Sequence, residues 1–201
     1  MIDVYIKRAW YVENRPVISD FSLKMDAGEI VTMRGPSGSG KSTLLSIIAG
    51  LHREFDGSVK LSGAVALMPQ ENSLPPFYTL LQNTMLLSRA TGGRPDRERA
   101  MELLSRLGLG GLENKYPNAL SGGEIRRAQL AQALFFEPQI LLMDEPFSAL
   151  DEATKLIVMD AFLNAWEKSK MAVVFVTHDA AEAEYIGGRV IELGGEGRCN
   201  D

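Results

Sequence analysis

The chain has 201 residues, 45% of them hydrophobic and 23% charged, with a formal net charge of −5. That length supports one domain with room for an inserted subdomain and a sizeable core. The composition excludes a disordered chain or a fibre, and the acidic balance excludes a mainly electrostatic nucleic-acid binder. No apolar run approaches the roughly 18–20 residues that span a bilayer, and the start, MIDVYIKRAW, lacks a secretory pattern. The single cysteine, Cys199, lies in a polar tail. It makes no internal disulfide or zinc cluster and is expected to be dispensable, in a reduced cytoplasmic protein.

Apolar runs alternate with helical patterns along the chain. Glu29–Arg34 reads as a strand ending at a glycine loop, and Ser42–Ala49 as a helix stopped by Gly50. Ser58–Leu61 and Ala64–Met68 read as short strands around Gly63, forming a hairpin. Residues 71–136 show helices and loops but no strand, which suggests a helical subdomain inserted into the core of 1–70 and 137–201. Within it, Arg97–Leu107 is helical with Asp96 as a cap, and Glu124–Phe136 is a second helix. Ile140–Met143 and Ala172–Val176 are continuous apolar runs, as expected of strands buried on both faces. A helix over Lys155–Lys168 lies between them, and Arg189–Leu193 reads as a final strand. Strands alternating with helices imply an α/β fold with a parallel sheet.

Three stretches carry chemistry. Gly35-Pro36-Ser37-Gly38-Ser39-Gly40-Lys41-Ser42 fits the G-x-x-x-x-G-K-[ST] phosphate loop in the required place, after a strand and before a helix, with Thr43 next in line. Glycines let backbone N–H groups turn inward on phosphate oxygens, and the helix start adds partial positive charge. Lys41 reaches the β- and γ-phosphates and the Ser42 hydroxyl suits Mg²⁺. The glycine spacing does not fit the dinucleotide pattern. Ile140–Pro146 places Asp144 and Glu145 at the C-terminal end of an apolar strand, where open α/β sheets bind ligands. There Asp144 suits a Mg²⁺ anchor and Glu145 a general base that polarises water. Leu120-Ser121-Gly122-Gly123-Glu124 starts a helix with a good N-cap and a glycine-freed backbone, a second anion-binding turn.

Together these residues resemble the ATP-binding subunits of ABC (ATP-binding cassette) transporters, over nearly the whole chain. LSGGE resembles that family's signature, Ser148–Asp151 (SALD) its D-loop, Gln70 the Q-loop glutamine and His178 the switch histidine, all in the family's order. The resemblance implies a P-loop NTPase core with a small antiparallel β-subdomain and an inserted helical subdomain. It implies ATP and Mg²⁺, with Ser42, Gln70 and Asp144 toward the metal and Glu145, His178, Lys41 and Gln70 in hydrolysis. His178 is expected to hydrogen-bond the γ-phosphate and Tyr11 to stack on adenine, with Trp10 the nearest rival. Ser121, Gly122 and Gly123 are expected to face the γ-phosphate bound by a second copy, so the active unit is an ATP-dependent head-to-tail homodimer. Three departures stand out: Glu124 where the signature usually has Gln, Gln132 where Arg is usual, and a short Lys41–Gln70 span, read as a trimmed β-subdomain.

Lys115–Ala119 (KYPNA) resembles importer ATPases, and the runs that start at Leu141 and Val173 most resemble importers of nitrate, sulfonates, taurine or thiamine precursors. The expected role is the motor of such an importer, peripheral on the inner face of the membrane. Its partners are then integral membrane permease subunits in separate chains and a substrate-binding protein, with no nucleic acid. Asn72–Leu81, with Phe77 and Tyr78, offers a surface for a permease helix. The alternative is a soluble ABC ATPase of the iron–sulfur-assembly type.

Overall fold

The computed structural model describes residues 1–12, 15–94 and 96–194, and the backbone of 199–200. They form two compact units: Met1–Leu67 with Gln139–Glu145 and Lys170–Asp201, and Met68–Pro138 with Pro146–Ser169.

The first unit holds both sheets. Strands β1 (Ile2–Val12), β2 (Arg15–Met25) and β4 (Phe55–Leu61) make an antiparallel sheet in the order β2-β1-β4. In β1, Ile2, Val4 and Ile6 are buried while Asp3, Tyr5 and Lys7 are exposed, the period-two alternation of a sheet with one wet face. The second sheet has the order β5-β6-β7-β3-β8-β9, built from β3 (Ile30–Arg34), β5 (Val65–Met68), β6 (Ile140–Asp144), β7 (Ala172–Val176), β8 (Arg189–Leu193) and β9 (Cys199–Asn200). β6, β7, β3 and β8 run parallel in register. Every residue of β6 and β7 is buried, in keeping with the apolar runs Ile140–Met143 and Ala172–Val176. Helix α1 (Lys41–Ile48) turns Leu44, Leu45, Ile47 and Ile48 into one apolar cluster with Val31, Met33, Ile140, Leu142, Val174 and Val176. The same cluster takes in Ile6, Ile18, Phe21 and Leu23 of the antiparallel sheet.

Two expectations are corrected here. The hairpin around Gly63 does not form: β4 pairs with β1, and β5 joins the other sheet beside β6. The chain changes sheets at Gly63 (φ 113°), where Ala64 N–H donates to Gln139 Oε1 at 2.7 Å and a Cβ on Gly63 would lie 2.5 Å from Gln139 Cβ. Nor is Arg189–Leu193 the last strand, because β9 returns antiparallel, pairing Leu193 with Cys199 and Glu192 with Asn200. The Cys199 side chain lies outside the described residues, so its expected dispensability is not addressed by contacts.

The second unit is helical: α2 (Leu80–Thr84), α3 (Leu86–Ala90), α4 (Arg97–Arg106), α5 (Gly122–Phe135) and α6 (Glu152–Ser169). Asp96 caps α4 by accepting from Arg99 N–H at 2.9 Å, and Leu104 and Leu107 are buried. Thr79 and Gln82 form a reciprocal capping box on α2. α5 is the hub, packing against α2, α3, α4 and α6. That packing groups α6 with the helices, whereas the sequence boundaries kept it with the core. A further short helix, α7 (Ala180–Ile186), follows β7 in the first unit.

Candidate functional site

β3 delivers the chain at Arg34 into the glycine loop. Gly35 (φ 149°) and Gly40 (φ 90°) cannot be replaced without displacement: a Cβ would lie 2.3 Å from the Leu193 carbonyl oxygen and 2.8 Å from that of Val17. The loop is thus wedged between two other strands. Pro36, Ser37, Gly38 and Ser42 are exposed, while Ser39 and Thr43 are buried. Lys41 Nζ donates to the carbonyls of Gly35 at 2.9 Å and Pro36 at 2.8 Å and lies 3.3 Å from Ser39 Oγ, which fixes its ammonium inside the loop. Tyr11 is brought to the same helix start: its hydroxyl is 3.3 Å from Thr43 Oγ1, its ring tilts against His52 at 4.6 Å, and it is 64% exposed. Trp10 is half-buried, with the Arg8 guanidinium 5.3 Å from its ring.

Asp144 closes β6 and is buried. The next residue, Glu145, takes φ 48°, a left-handed backbone uncommon for a residue with a side chain, and its N–H donates to Val176 O at 3.0 Å. This aims the carboxylate at His178, whose Nδ1 is 3.3 Å from Glu145 Oε1. The nitrogen facing that carboxylate is the one that carries a hydrogen. The switch turn is held from below. Buried Thr177 donates its hydroxyl to buried Glu182 Oε2 at 2.6 Å and accepts from Asp179 N–H at 3.0 Å. Asp179 in turn caps α7 through Ala181 N–H at 2.8 Å.

Of the donors expected for Mg²⁺, the first unit carries the Ser42 hydroxyl and the Asp144 carboxylate, and the second unit the Gln70 amide. Among the described residues no three His, Cys, Asp or Glu side chains gather into a metal cage. Sparse hard oxygen ligands fit Mg²⁺, which keeps much of its shell as water and substrate phosphate.

The helical unit carries Gln70 and Ser121–Gly123. Ser121 caps α5, accepting from Glu124 N–H at 3.3 Å, while Glu124 Oε2 accepts from Ser121 N–H at 2.7 Å. That backbone hydrogen bond, then the Ser121 hydroxyl, holds the Glu124 carboxyl below the usual glutamate range. The departure from Gln is thereby explained locally: the extra charge is folded back on its own helix start. Gly123 packs on the D-loop, where a Cβ would meet Ala149 O at 3.1 Å and Leu150 Cδ2 at 3.3 Å. Arg127 ties the same turn to the end of α4, donating from Nη1 to Leu107 O at 2.9 Å and Gly108 O at 2.8 Å. Gln132, in the usual Arg position, is buried and donates to Asn83 O at 2.8 Å.

Sequence reasoning missed Arg126 and Gln129. Both are buried on α5 and bind the segment that carries exposed Gln70. Arg126 Nη1 donates to Pro69 O at 2.7 Å and Gln70 O at 3.0 Å. Gln129 Nε2 donates to Glu71 O at 2.8 Å and Ser73 Oγ at 3.1 Å. A polar i, i+3 pair on a helix gives no sequence signal that separates it from a solvated face.

The ABC transporter family model matches residues 18–148. Aliphatic sulfonates import ATP-binding protein SsuB 2 of Burkholderia cenocepacia (strain HI2424) is 43% identical over 211 residues, covering 100% of this chain and 77% of that protein. SsuB of Bacillus subtilis (strain 168) is 38% identical over 203 residues, covering 96% and 79%. Among solved structures, a dimeric ATP-binding cassette in a post-hydrolysis state bound to ADP and Pi superposes with a TM-score of 0.89 at 31% identity, covering 100% of this chain and 97% of that one. With the family model matching 18–148 and relatives 43% and 38% identical along nearly the whole length, the chain belongs to the ABC transporter family.

Proposed function

We propose that this chain is the ATP-hydrolysing motor subunit of an importer for small organic anions of the aliphatic sulfonate class. The observation that carries the enzymatic part is the pairing at the sheet's C-terminal edge: a strained Glu145 held 3.3 Å from His178, on the strand end that follows buried Asp144. The solute class is supported by the names of the two relatives above, both aliphatic sulfonates import ATP-binding proteins. The iron–sulfur-assembly alternative finds no support among them.

In this reading the loop from Gly35 to Thr43 binds the triphosphate through backbone N–H groups, and Lys41 exchanges its carbonyl partners for β- and γ-phosphate oxygens. Tyr11 stacks on adenine with its exposed ring. Glu145 takes a proton from water as the water oxygen bonds to the γ-phosphorus. The bond from that phosphorus to the β–γ bridging oxygen breaks, and its electron pair leaves on ADP. His178 keeps Glu145 in line and hydrogen-bonds the γ-phosphate. Ser42, Asp144 and Gln70 would hold Mg²⁺, and the metal would supply positive charge to offset the negative charge developing on the phosphates. Ser121, Gly122 and Gly123 bind the γ-phosphate on a second copy, so two chains close head-to-tail over two nucleotides. Permease subunits dock near exposed Phe77 and Tyr78, whose rings meet edge-on at 5.4 Å, while neighbouring Leu80 and Leu81 are buried. The assembly sits on the inner face of the membrane, fed by a substrate-binding protein; no helix among the described residues is long and apolar enough to cross a bilayer.

The test is Glu145→Gln. Turnover should fall by on the order of 10²–10⁴-fold while ATP binding persists, because only the base is lost. With ATP the variant should accumulate as a dimer in light scattering at micromolar protein, and with ADP as a monomer. Wild-type phosphate release by Glu145→Gln would remove the assignment of the base.

A further inference from the structure

The helix that leaves the phosphate loop ends at a second contact with Tyr11. α1 closes in a glycine cap: Gly50 takes φ 75°, its N–H donates to Ile47 O at 3.0 Å, and Leu51 N–H reaches back to Ser46 O at 2.8 Å. His52 N–H adds a 3.2 Å bond to the same Ser46 carbonyl, so the chain folds back on the helix end, and His52 is buried at 8% exposure. Its Nε2 lies 3.0 Å from the Trp10 carbonyl oxygen. A carbonyl only accepts, so Nε2 is the nitrogen with the hydrogen, while Nδ1 lies 3.7 Å from Glu54 Oε2. This bond falls where β1 needs one. Pairing with β4 stops at Ala9, and the register with β2 slips between Ala9 and Trp10 and again between Trp10 and Val12. In that slipped stretch Trp10 N–H donates to Glu54 O at 3.1 Å and Trp10 O accepts from His52. The peptide plane that leads into Tyr11 is therefore fixed by the segment just past α1. The His52 ring then meets the Tyr11 ring itself, with centroids 4.6 Å apart and a tilt of 57°. The Tyr11 hydroxyl is tied to Thr43, near the start of α1. One helix thus holds at two points a ring that remains 64% exposed.

We propose that His52 is a positioning residue for nucleotide binding: it holds Tyr11 as a preformed platform for the base. It thereby sets how much the base, as distinct from the phosphates, adds to affinity. An exposed tyrosine on a slipped strand would otherwise sample several rotamers, and fixing one of them at binding would cost entropy. The hydrogen-bond, ring and charge partners of the His52 side chain are Trp10, Tyr11 and Glu54, so it acts on nucleotide through Tyr11. That role rests on the reading above, in which Tyr11 stacks on adenine.

His52→Ala, His52→Gln, Tyr11→Ala and the double variant His52→Ala with Tyr11→Ala are compared in the full chain. Calorimetry without Mg²⁺ gives the affinity for ATP and for inorganic triphosphate, which uses the same phosphate loop and has no base. Tyr11→Ala should weaken ATP binding by roughly 5–100-fold, the range for a lost base–aromatic stack, and leave triphosphate unchanged. His52→Ala should weaken ATP binding by roughly 3–30-fold, as expected of a lost ring contact and hydrogen bond, with triphosphate again unchanged. In hydrolysis it should raise KM for ATP and keep kcat. The double variant should lose no more than Tyr11→Ala alone, because one residue acts through the other. His52→Gln, which fills the site and keeps an N–H donor but has no ring, should recover part of the affinity. Unchanged ATP affinity in both His52 variants, beside a loss in Tyr11→Ala, overturns the proposal and leaves the Tyr11 reading standing. Equal losses of ATP and triphosphate also overturn it, since they mark His52 as a general support of the fold. So do losses that multiply in the double variant. If Tyr11→Ala costs no ATP affinity, the adenine reading itself falls, and the platform role of His52 with it.

Discussion

The two units solve the same problem, holding a loop in place for a ligand, by opposite means. In the α/β unit the loops grow from strands that are buried and mostly apolar, so position comes from close packing. The phosphate loop is wedged by main chain at Gly35 and Gly40, and the switch turn rests on one buried Thr177–Glu182 pair. In the helical unit the loops are long and irregular, and buried polar side chains reach out from helices to hold them. Arg126 and Gln129 hold 69–73, Asn83 Nδ2 holds the carbonyls of Pro75, Tyr78 and Thr79, and Gln132 binds back to Asn83. Packing gives a rigid seat. A polar scaffold gives a seat whose partners can be exchanged together, which suits a part that must answer a second copy and a permease.

Four perturbations sharpen or break this contrast. The largest effect is expected from Leu142→Ala in β6, a fully buried side chain on a strand inside the six-stranded sheet. It should cost about 2–5 kcal/mol in denaturant unfolding of the whole chain. A loss confined to one segment would mean that the sheet is not the common foundation. Next, Lys41→Ala removes a cation whose partners are loop carbonyls and, in the proposed complex, phosphate. ATP affinity should fall about 10–100-fold by fluorescence titration, as expected when a charged hydrogen bond worth ~1.5–3 kcal/mol is deleted. Nearly wild-type affinity would place the triphosphate elsewhere.

Ser121→Arg acts in the other unit. It removes a cap worth about 0.5–2 kcal/mol and fills the turn proposed to meet a second copy. In a Glu145→Gln background it should leave ATP binding at the phosphate loop intact and abolish the ATP-induced dimer seen by light scattering. A surviving dimer would break the composite-site reading.

The smallest effect is acidification. Glu124 is held below the usual range by the Ser121 N–H, Asp151 by the side-chain and backbone hydrogen bonds of Thr154, and Glu113 by the Gly111 N–H. A depressed folded-state value means that stabilisation is complete above the unfolded value, about pH 4, and is lost as pH falls through the folded one. All three lie in the helical unit. Hydrogen exchange should therefore rise first at the starts of α5 and α6 as pH falls below about 4. Glu124→Gln, which keeps the capping geometry without a charge, should blunt the response at α5 and leave ATP turnover near wild type. Equal loosening of both units would show that these caps do not set the acid limit.

How much was legible beforehand follows the same division. β6, β7 and β8 could be read from short apolar runs, and the phosphate loop, Asp144, Glu145 and Ser121 from fixed patterns at strand ends and a helix start. β1 and β2 were not read, although Ile2, Val4 and Ile6 alternate with exposed residues; exposed Tyr5 blurs the pattern. The hairpin reading failed because Gly63 looks the same in a hairpin turn and in a crossing between sheets. What distinguishes them is Gln139, 76 positions away, bonded to Ala64. Arg126 and Gln129 were invisible for a similar reason. Their burial follows from a loop folding over the helix, and no property of the helix alone predicts it.

The backbone at Glu145 has a consequence for anyone who would improve this protein. A side chain at φ 48° costs roughly 1–3 kcal/mol, which glycine there would largely escape. A stability screen that ignores turnover should enrich Glu145→Gly, and the chains it selects would be sturdier and inert. In the proposed mechanism the general base thus occupies a position where folding alone would favour no side chain at all, and its identity can be maintained only by selection on activity.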